Sequence, residues 1–288
     1  MTETLRIRSG GVEIHVEVDG PADGTPVVFL HGVMSSGRTW EWLPDSVTRG
    51  RRIIRIDLRG HGRSDHAAGT YDVPRYGADV VAVIRELASQ QVLLVGHSLG
   101  GVVAWWVALN HPELVAAALL EDPPLLASET PDAQAGRFRT RFHAMRTAVL
   151  GYQEGGLSDE EIAERIPAIR YGPQGTPTLG ELLTDDAVAT SAFGYRRLDV
   201  GVIDGAIDGS TLAPTDTRSR VTVPVVIVAA DDASPDVAFS LEDAERLAGW
   251  QPRVEVVRIA GSGHRIHDSR AHRDTFAKQL RRFLTVYG

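Results

Sequence analysis

The stretch Val92-Leu93-Leu94-Val95-Gly96-His97-Ser98-Leu99-Gly100-Gly101 constrains this chain more than any other. Four apolar residues with β-branched ends read as a buried strand, a Gly-x-Ser-x-Gly follows, and Val102 to Leu109 run on as an apolar helix. A serine between a strand and a helix sits on a sharp turn in a strained backbone conformation, so its neighbours must lack bulk. Gly96 and Gly100 supply that room. The turn should lift the Ser98 hydroxyl above the carboxyl ends of the strands, beside helix N–H groups that favour a developing negative charge. Ser98 is therefore the candidate nucleophile. An ordinary tight turn is less well matched by the strand before it and the helix after it.

With 288 residues and 43% hydrophobic content, the chain can bury one substantial core, and the economical reading is one domain with a large insertion. The net charge of −8 is spread along the chain, and Arg51-Arg52 and Arg281-Arg282 are too short to form a nucleic-acid footprint. The absence of cysteine excludes disulfides, thiolate zinc sites and a cysteine nucleophile. Met1 to Gly11 has no apolar leader core, and no later stretch approaches the length of a membrane span. The expectation is a soluble cytoplasmic protein that meets a small molecule rather than nucleic acid or membrane.

In chain order, Leu5 and Ile7, then Val12, Ile14, Val16 and Val18, alternate with polar residues around Gly10-Gly11, predicting an antiparallel hairpin at one sheet edge. Val27 to Leu30 is fully apolar, as a strand covered on both faces must be. It runs into His31-Gly32-Val33, where Gly32 would let the backbone pass close to the site and the Val33 N–H point at an oxyanion. Arg52 to Ile56 is the next strand, and Asp57 to Ser64 a glycine-punctuated loop in which His61 reads as structural, with Asp57, Arg59 and Ser64 satisfying one another. Pro74 to Ala88 carries Val80, Val81, Ile84 and Leu87 at helical spacing.

Beyond the Ser98 helix, Leu114 to Leu120 gives another apolar strand ending in Glu121-Asp122-Pro123-Pro124. An acidic pair at that end lies where open α/β sheets build their sites, although a turn cap before the prolines would also use Asp122. From about Leu125 to Thr217 the alternation of strand and helix lapses into short helical patterns, broken by Gly155-Gly156 and Gly172-Pro173-Gln174-Gly175, with Ser158 to Glu161 as one helix start. These predict a lid over the carboxyl edge of the sheet, able to shape a pocket and exclude water. Strand and helix resume with Val221 to Val228, Asp231-Asp232, Leu241 to Ala248 and Val254 to Ile259. Gly261-Ser262-Gly263-His264 follows, then a helix with Phe276, Leu280, Phe283 and Leu284 on one face. His264, in a glycine-rich loop, is free to swing toward a serine. His267 and Asp268 read as the start of the last helix, and Trp105 and Trp106 as core packing.

The order Ser, Asp, His, together with His31-Gly32, the Asp57 to Ser64 loop, the Gly96 to Gly101 turn and Gly261 to His264, resembles the α/β-hydrolase superfamily. The resemblance spans nearly the whole chain apart from the lid. It implies an α/β fold with a mostly parallel eight-stranded sheet flanked by helices. The core would span residues 1–124 and 218–288, with a helical cap at 125–217 after strand 6. It also implies Ser98 as nucleophile, His264 as base and later acid, and the N–H groups of Val33 and Leu99 as oxyanion hole. Two positions are open for the acid: the usual one, after the strand ending near Asp231-Asp232, and an earlier one at Asp122. Ala117 to Glu129 is similar to zearalenone-type lactone hydrolases, which use the earlier position, and a glycine that commonly precedes the later acid is lacking, so Asp122 is preferred. Glu121, its neighbour on an alternating strand, should point the other way.

These roles imply cleavage of a carboxylic ester or lactone of a hydrophobic small molecule through an acyl-enzyme on Ser98, without metal or organic cofactor, with a zearalenone-like macrocycle as one candidate. Alternatives are a carbon–carbon bond hydrolase or perhydrolase on the same residues, and a non-catalytic binder. Serine rather than aspartate at the elbow argues against the usual epoxide hydrolase or haloalkane dehalogenase.

Overall fold

In the computed structural model, residues 2–127, 132–170, 176–213 and 215–288 are described, with 132–138 as backbone only. The hairpin β1 (Glu3–Ser9) and β2 (Val12–Asp19) pairs antiparallel through Gly10 and Gly11, whose positive φ values of 54° and 89° the turn requires. Next come β3 (Thr25–Leu30), a short helix α1 (Asp45–Thr48), β4 (Arg51–Ile56), α2 (Val73–Leu87), β5 (Val92–His97), α3 (Leu99–Asn110) and β6 (Val115–Glu121). The helices α4 (Asp132–Glu154), α5 (Asp159–Arg165), α6 (Leu179–Leu182), α7 (Asp185–Arg197) and α8 (Gly201–Asp208) then intervene before β7 (Val225–Ala229), α9 (Leu241–Ala248), β8 (Val254–Arg258) and α10 (Arg273–Tyr287). The strands form one eight-stranded sheet in the order β1-β2-β4-β3-β5-β6-β7-β8, parallel from β4 to β8, with the hairpin at one edge as the alternation predicts.

Two apolar layers hold the sheet. One face packs on α2, α3 and the inserted helices through Val80, Ile84, Val102, Val103 and Trp105; the other packs on α10 through Phe276, Leu280, Phe283 and Leu284. The central strands β3, β5 and β6 are buried on both faces, which explains why they are unbroken apolar runs. Trp105 is fully buried and donates its indole N–H to the Asp216 carbonyl, and Trp106 lies against Gly77, so both tryptophans are packing residues as read.

The inserted helices are built as expected in part. Ser158 and Glu161 form a capping box at the start of α5. The break at Gly172 to Gly175, Ser128 and Glu129 of the lactonase-like stretch, and the Phe138 side chain fall outside the described residues. Elsewhere the boundaries shift. β7 begins at Val225, four residues later than the apolar run, because Pro224 has no N–H to give a ladder. The 3-10 turn at Gly37–Trp40 and α1 have no counterpart in the sequence reading, since both are a single turn long. His267 and Asp268 do not open α10. They lie in the turn before it, held by side-chain bonds described below.

Candidate active site

Ser98 stands between the last residue of β5 and the first of α3 with φ 51° and ψ −116°, a conformation costing on the order of 1–3 kcal/mol for a side-chain-bearing residue. Tight neighbours make it possible. A Cβ on Gly96 would come within 2.2 Å of the Gly100 carbonyl oxygen, and one on Gly100 within 2.5 Å of the Leu30 carbonyl oxygen, so neither glycine is replaceable without moving main chain. The Ser98 N–H donates to the Glu121 carbonyl at 2.9 Å, which ties the turn to β6.

The loop after β3 approaches the same turn. At Gly32 a Cβ would sit 2.7 Å from His97 Nδ1 and 3.2 Å from Ser98 Cβ, so only glycine lets the chain pass here, as expected. Val33, Ser98, Leu99 and His264 line one cavity of about 220 Å³. Among the described residues the N–H groups of Val33 and Leu99 have no hydrogen-bond acceptor. For Leu99 this follows from its place at the first turn of α3, where N–H groups lack intrahelical partners.

Asp122, fully buried at the end of β6 and with φ 41°, turns its carboxylate toward the loop of His264. Its Oδ2 lies 2.7 Å from His264 Nδ1 and takes the Ala238 N–H at 2.8 Å; its Oδ1 takes the N–H groups of Ala230 at 3.1 Å and Phe239 at 3.2 Å. Three backbone donors keep a buried carboxylate in place and leave one lone-pair direction for the imidazole. Asp231 and Asp232 are engaged elsewhere. Asp231 caps Ala233 and Gly261, bonds that hold its carboxyl below the usual range, and Asp232 accepts from Leu241 N–H at the start of α9. The structure therefore brings Asp122, and neither later aspartate, to His264.

Glu121 points to the opposite side of β6, as strand alternation requires. It is fully buried, takes the His267 backbone N–H at 2.8 Å on Oε1 and lies 2.6 Å from His267 Nδ1 through Oε2. His267 in turn lies 2.9 Å from Thr39 Oγ1 and 3.4 Å from Asp268 Oδ1, and stacks on Trp40 at 4.3 Å. Burial alone would lower the His267 pKa, but Asp268 and Glu121 outweigh it and hold it above the usual value. Its neighbour His97 goes the other way: burial first, then the nearby His264 and His267, push it well below its usual value. Ligand atoms of His97, Glu121 and His267 lie within 4.8 Å of one another. They do not suit a metal ion, because Glu121 and His267 are bonded to each other and His97 Nε2 donates to the His264 carbonyl at 3.2 Å. The sequence offered one sign of this cluster, the tandem Glu121-Asp122, but no sign of its partner.

His61 is structural, as read: it is fully buried, its Nδ1 bonds the Arg59 carbonyl, and burial with the neighbouring His31 pushes its pKa down to about 3. Arg59 departs from expectation. Its guanidinium pairs with buried Asp79 on α2 at 2.6 and 2.7 Å rather than with Asp57, which instead takes the N–H groups of Gly37 and Arg63.

The cavity wall is mostly apolar, with Met34, Phe142, Met145 and Leu212 among its residues, and three arginines, Arg139, Arg141 and Arg265, also line it. Arg265 is fixed by Asp268 Oδ2 and by Ser191 on α7 at 2.8 Å. Among the described residues no helix is long and apolar enough to cross a membrane.

The family model of the alpha/beta hydrolase fold matches residues 25–271. The 2-(acetamidomethylene)succinate hydrolase of Mesorhizobium japonicum is 28% identical over 267 residues, covering 91% of this chain and 89% of its own. Epoxide hydrolase A of Mycobacterium tuberculosis is 35% identical over 166 residues, 56% of this chain and only 50% of that enzyme. A crystal structure of E-2-(acetamidomethylene)succinate hydrolase superposes with a TM-score of 0.74 at 23% identity, over 99% of this chain and 100% of that one, which is a likeness of fold. With the eight-stranded sheet, the insertion after β6 and the serine turn already in place, the match over most of the length settles the family: the chain belongs to the α/β-hydrolase fold.

Proposed function

We propose that this protein is a serine hydrolase that cleaves the ester or lactone bond of a small molecule through an acyl-enzyme on Ser98, with His264 and Asp122 as its triad partners. The observation that carries this reading is the 2.7 Å contact of His264 Nδ1 with Asp122, which leaves Nε2 as the nitrogen available to the cavity that Ser98 also lines. His264 Nε2 takes the hydroxyl proton as Ser98 Oγ attacks the carbonyl carbon. The N–H groups of Val33 and Leu99, unclaimed within the described protein, receive the oxyanion. The imidazolium, steadied by Asp122, protonates the leaving alcohol; water, deprotonated by the same nitrogen, then attacks the acyl carbon and frees the acid and Ser98. No step calls on a metal or organic cofactor.

A second reading concerns the substrate. Arg139 and Arg141, in a mostly apolar wall that also carries Asp236 and the paired Asp268 and Arg265, favour a substrate bearing a carboxylate beside its scissile bond. The Mesorhizobium relative, named for hydrolysis of a succinate derivative, supports the same class. A cavity of about 220 Å³ is also small beside the roughly 300–1,000 Å³ of sites for drug-sized ligands, which favours a compact acid over a zearalenone-like macrocycle.

The test is turnover of a panel of neutral p-nitrophenyl esters, acidic hemiesters, a carbon–carbon-cleavage substrate and zearalenone, by the parent and Ser98→Ala. Hydrolysis that vanishes in Ser98→Ala is the expected result, with product analysis fixing the bond broken. A parent inert toward every member, or a Ser98→Ala protein as active as the parent, defeats the proposal.

A further inference from the structure

Two consecutive carboxylates at the end of β6 each hold a histidine of one loop. Asp122 takes His264, and Glu121, on the other side of the strand, takes His267 by both its ring Nδ1 and its backbone N–H. The two pairs are not independent. The His97 ring packs between them, its centroid 4.8 Å from that of His264 and 4.9 Å from that of His267, and its Nε2 donates to the His264 carbonyl. Ser98 follows His97 directly, so nucleophile turn and histidine loop share one packed wedge.

The surroundings of His267 show what its charge would do. Glu121 faces it from β6, neutral His97 from β5, and Thr39 and Trp40 from the turn after β3. Phe276 faces it from α10, and Arg273 of that helix donates to its carbonyl at 2.9 Å while its guanidinium pairs with Asp186 on α7. On its own loop Asp268 lies against Nε2 and is paired with Arg265. With His267 protonated, the chain of buried Glu121, His267 and Asp268 and half-buried Arg265 alternates in sign and sums to zero. Without that proton, two buried carboxylates share one cation, an arrangement that costs free energy in a site of low polarity.

We propose that Glu121 and His267 form a positioning pair, a buried carboxylate–imidazolium clamp that fixes the loop carrying His264 against Asp122 and the Ser98 turn. Neither touches the reacting atoms; both act through His264. The inference rests on the reading of Ser98 and His264 as nucleophile and base. Asp268 and Glu121 raise the His267 pKa against its burial, the direction that favours the imidazolium form.

The experiment measures the rate at which diisopropyl fluorophosphate phosphorylates Ser98, with fluoride leaving, followed by intact mass from pH 5 to 10. It compares the parent, Glu121→Gln, which keeps an acceptor for the His267 backbone N–H, and His267→Gln. The clamp predicts a parent rate that falls at alkaline pH as His267 loses its proton. In folded Glu121→Gln the rate at pH 7 should drop at least about tenfold, and the alkaline fall should move down by about one pH unit or more. His267→Gln should lose the alkaline fall altogether. A Glu121→Gln protein with the parent's rate and alkaline limb overturns the clamp, and so does one whose rate drops while its limb stays put, since that is a structural defect alone. The ring ¹H–¹⁵N signals of His264 in the two proteins decide the matter without chemistry: shifted signals support the clamp, and superimposable ones overturn it. If the parent's Ser98 does not react at all, the hydrolase reading fails, and the His264 signals still judge whether Glu121 positions that ring.

Discussion

Asp122 and His264 stand 142 residues apart in the chain and 2.7 Å apart in space, between Asp122 Oδ2 and His264 Nδ1. Asp122→Asn keeps the shape but turns an acceptor into a donor or loses the charge that steadies an imidazolium. We expect kcat on a hydrolysed ester to fall on the order of 10³–10⁴-fold. Asp232→Asn, which alters only a cap on Leu241, should keep kcat within about twofold and cost no more than about 1 kcal/mol in urea unfolding. The opposite ranking would move the acid to the later strand.

Glycines at and away from the serine turn should respond differently to one methyl group. Gly96→Ala forces a Cβ to 2.2 Å from a carbonyl oxygen of α3, and we expect a loss of more than about 3 kcal/mol, or no folded protein. Gly11→Ala meets nothing within 4 Å and pays only for its positive φ, about 1–2 kcal/mol. Denaturant unfolding of the two variants checks the contrast.

Acid should destabilise the fold from a high starting pH. Burial holds the His31 pKa down at about 4 and the His61 pKa, with His31 beside it, at about 3, and His97 is also lowered. Because these values lie below that of an unfolded histidine near 6.5, the unfolded chain takes up protons first. The stabilisation is complete above about pH 6.5 and is lost on the way down, at roughly 1.4 kcal/mol per pH unit for each histidine. Glu17, held down at about 2 by His15, Arg55 and Arg63 despite its burial, adds a loss between its usual carboxylate range and that value. His267 has the opposite sign: its contribution is complete below about 6.5 and lost as pH rises through its raised pKa. Urea midpoints from pH 4 to 9 should therefore fall on both sides of a neutral maximum. A flat acid limb in the parent would contradict the burial of these rings.

The arginines lining the cavity predict a charge preference. For an acidic hemiester, Arg139→Gln should raise KM about three- to tenfold with kcat little changed, and 0.5 M salt should narrow the gap between parent and variant. A neutral ester of the same size should show neither effect. Steady-state kinetics on the matched pair of esters is the measurement; equal losses on both would mean that Arg139 shapes the cavity without reading charge.

The serine turn was legible in the sequence because its demands are local. A strand covered on both faces must be an unbroken apolar run, a strained serine needs small neighbours, and Gly96, Gly100 and Gly32 stand where a Cβ would collide. The hairpin edge followed from alternation, and the start of α5 from the capping box of Ser158 and Glu161, readable in four residues. The partner of Arg59 was not legible, because Asp79 sits on a helix whose sequence pattern reports only its apolar face.

The sequence by itself determined the order of the sheet strands along the chain, the serine at the turn and the histidine in a glycine-rich loop, since each follows from steric and hydrophobic rules acting over a few residues. It preferred Asp122 to the pair Asp231-Asp232 through a resemblance rather than through any contact, and it misplaced His267 and Asp268. Only the tertiary structure shows which carboxylate lies against His264 and where His267 and Asp268 sit. Which carboxylate meets which imidazole depends on how the end of β6 and the loop before α10 are brought together by a parallel sheet, and on which backbone N–H groups that meeting leaves to satisfy each buried charge.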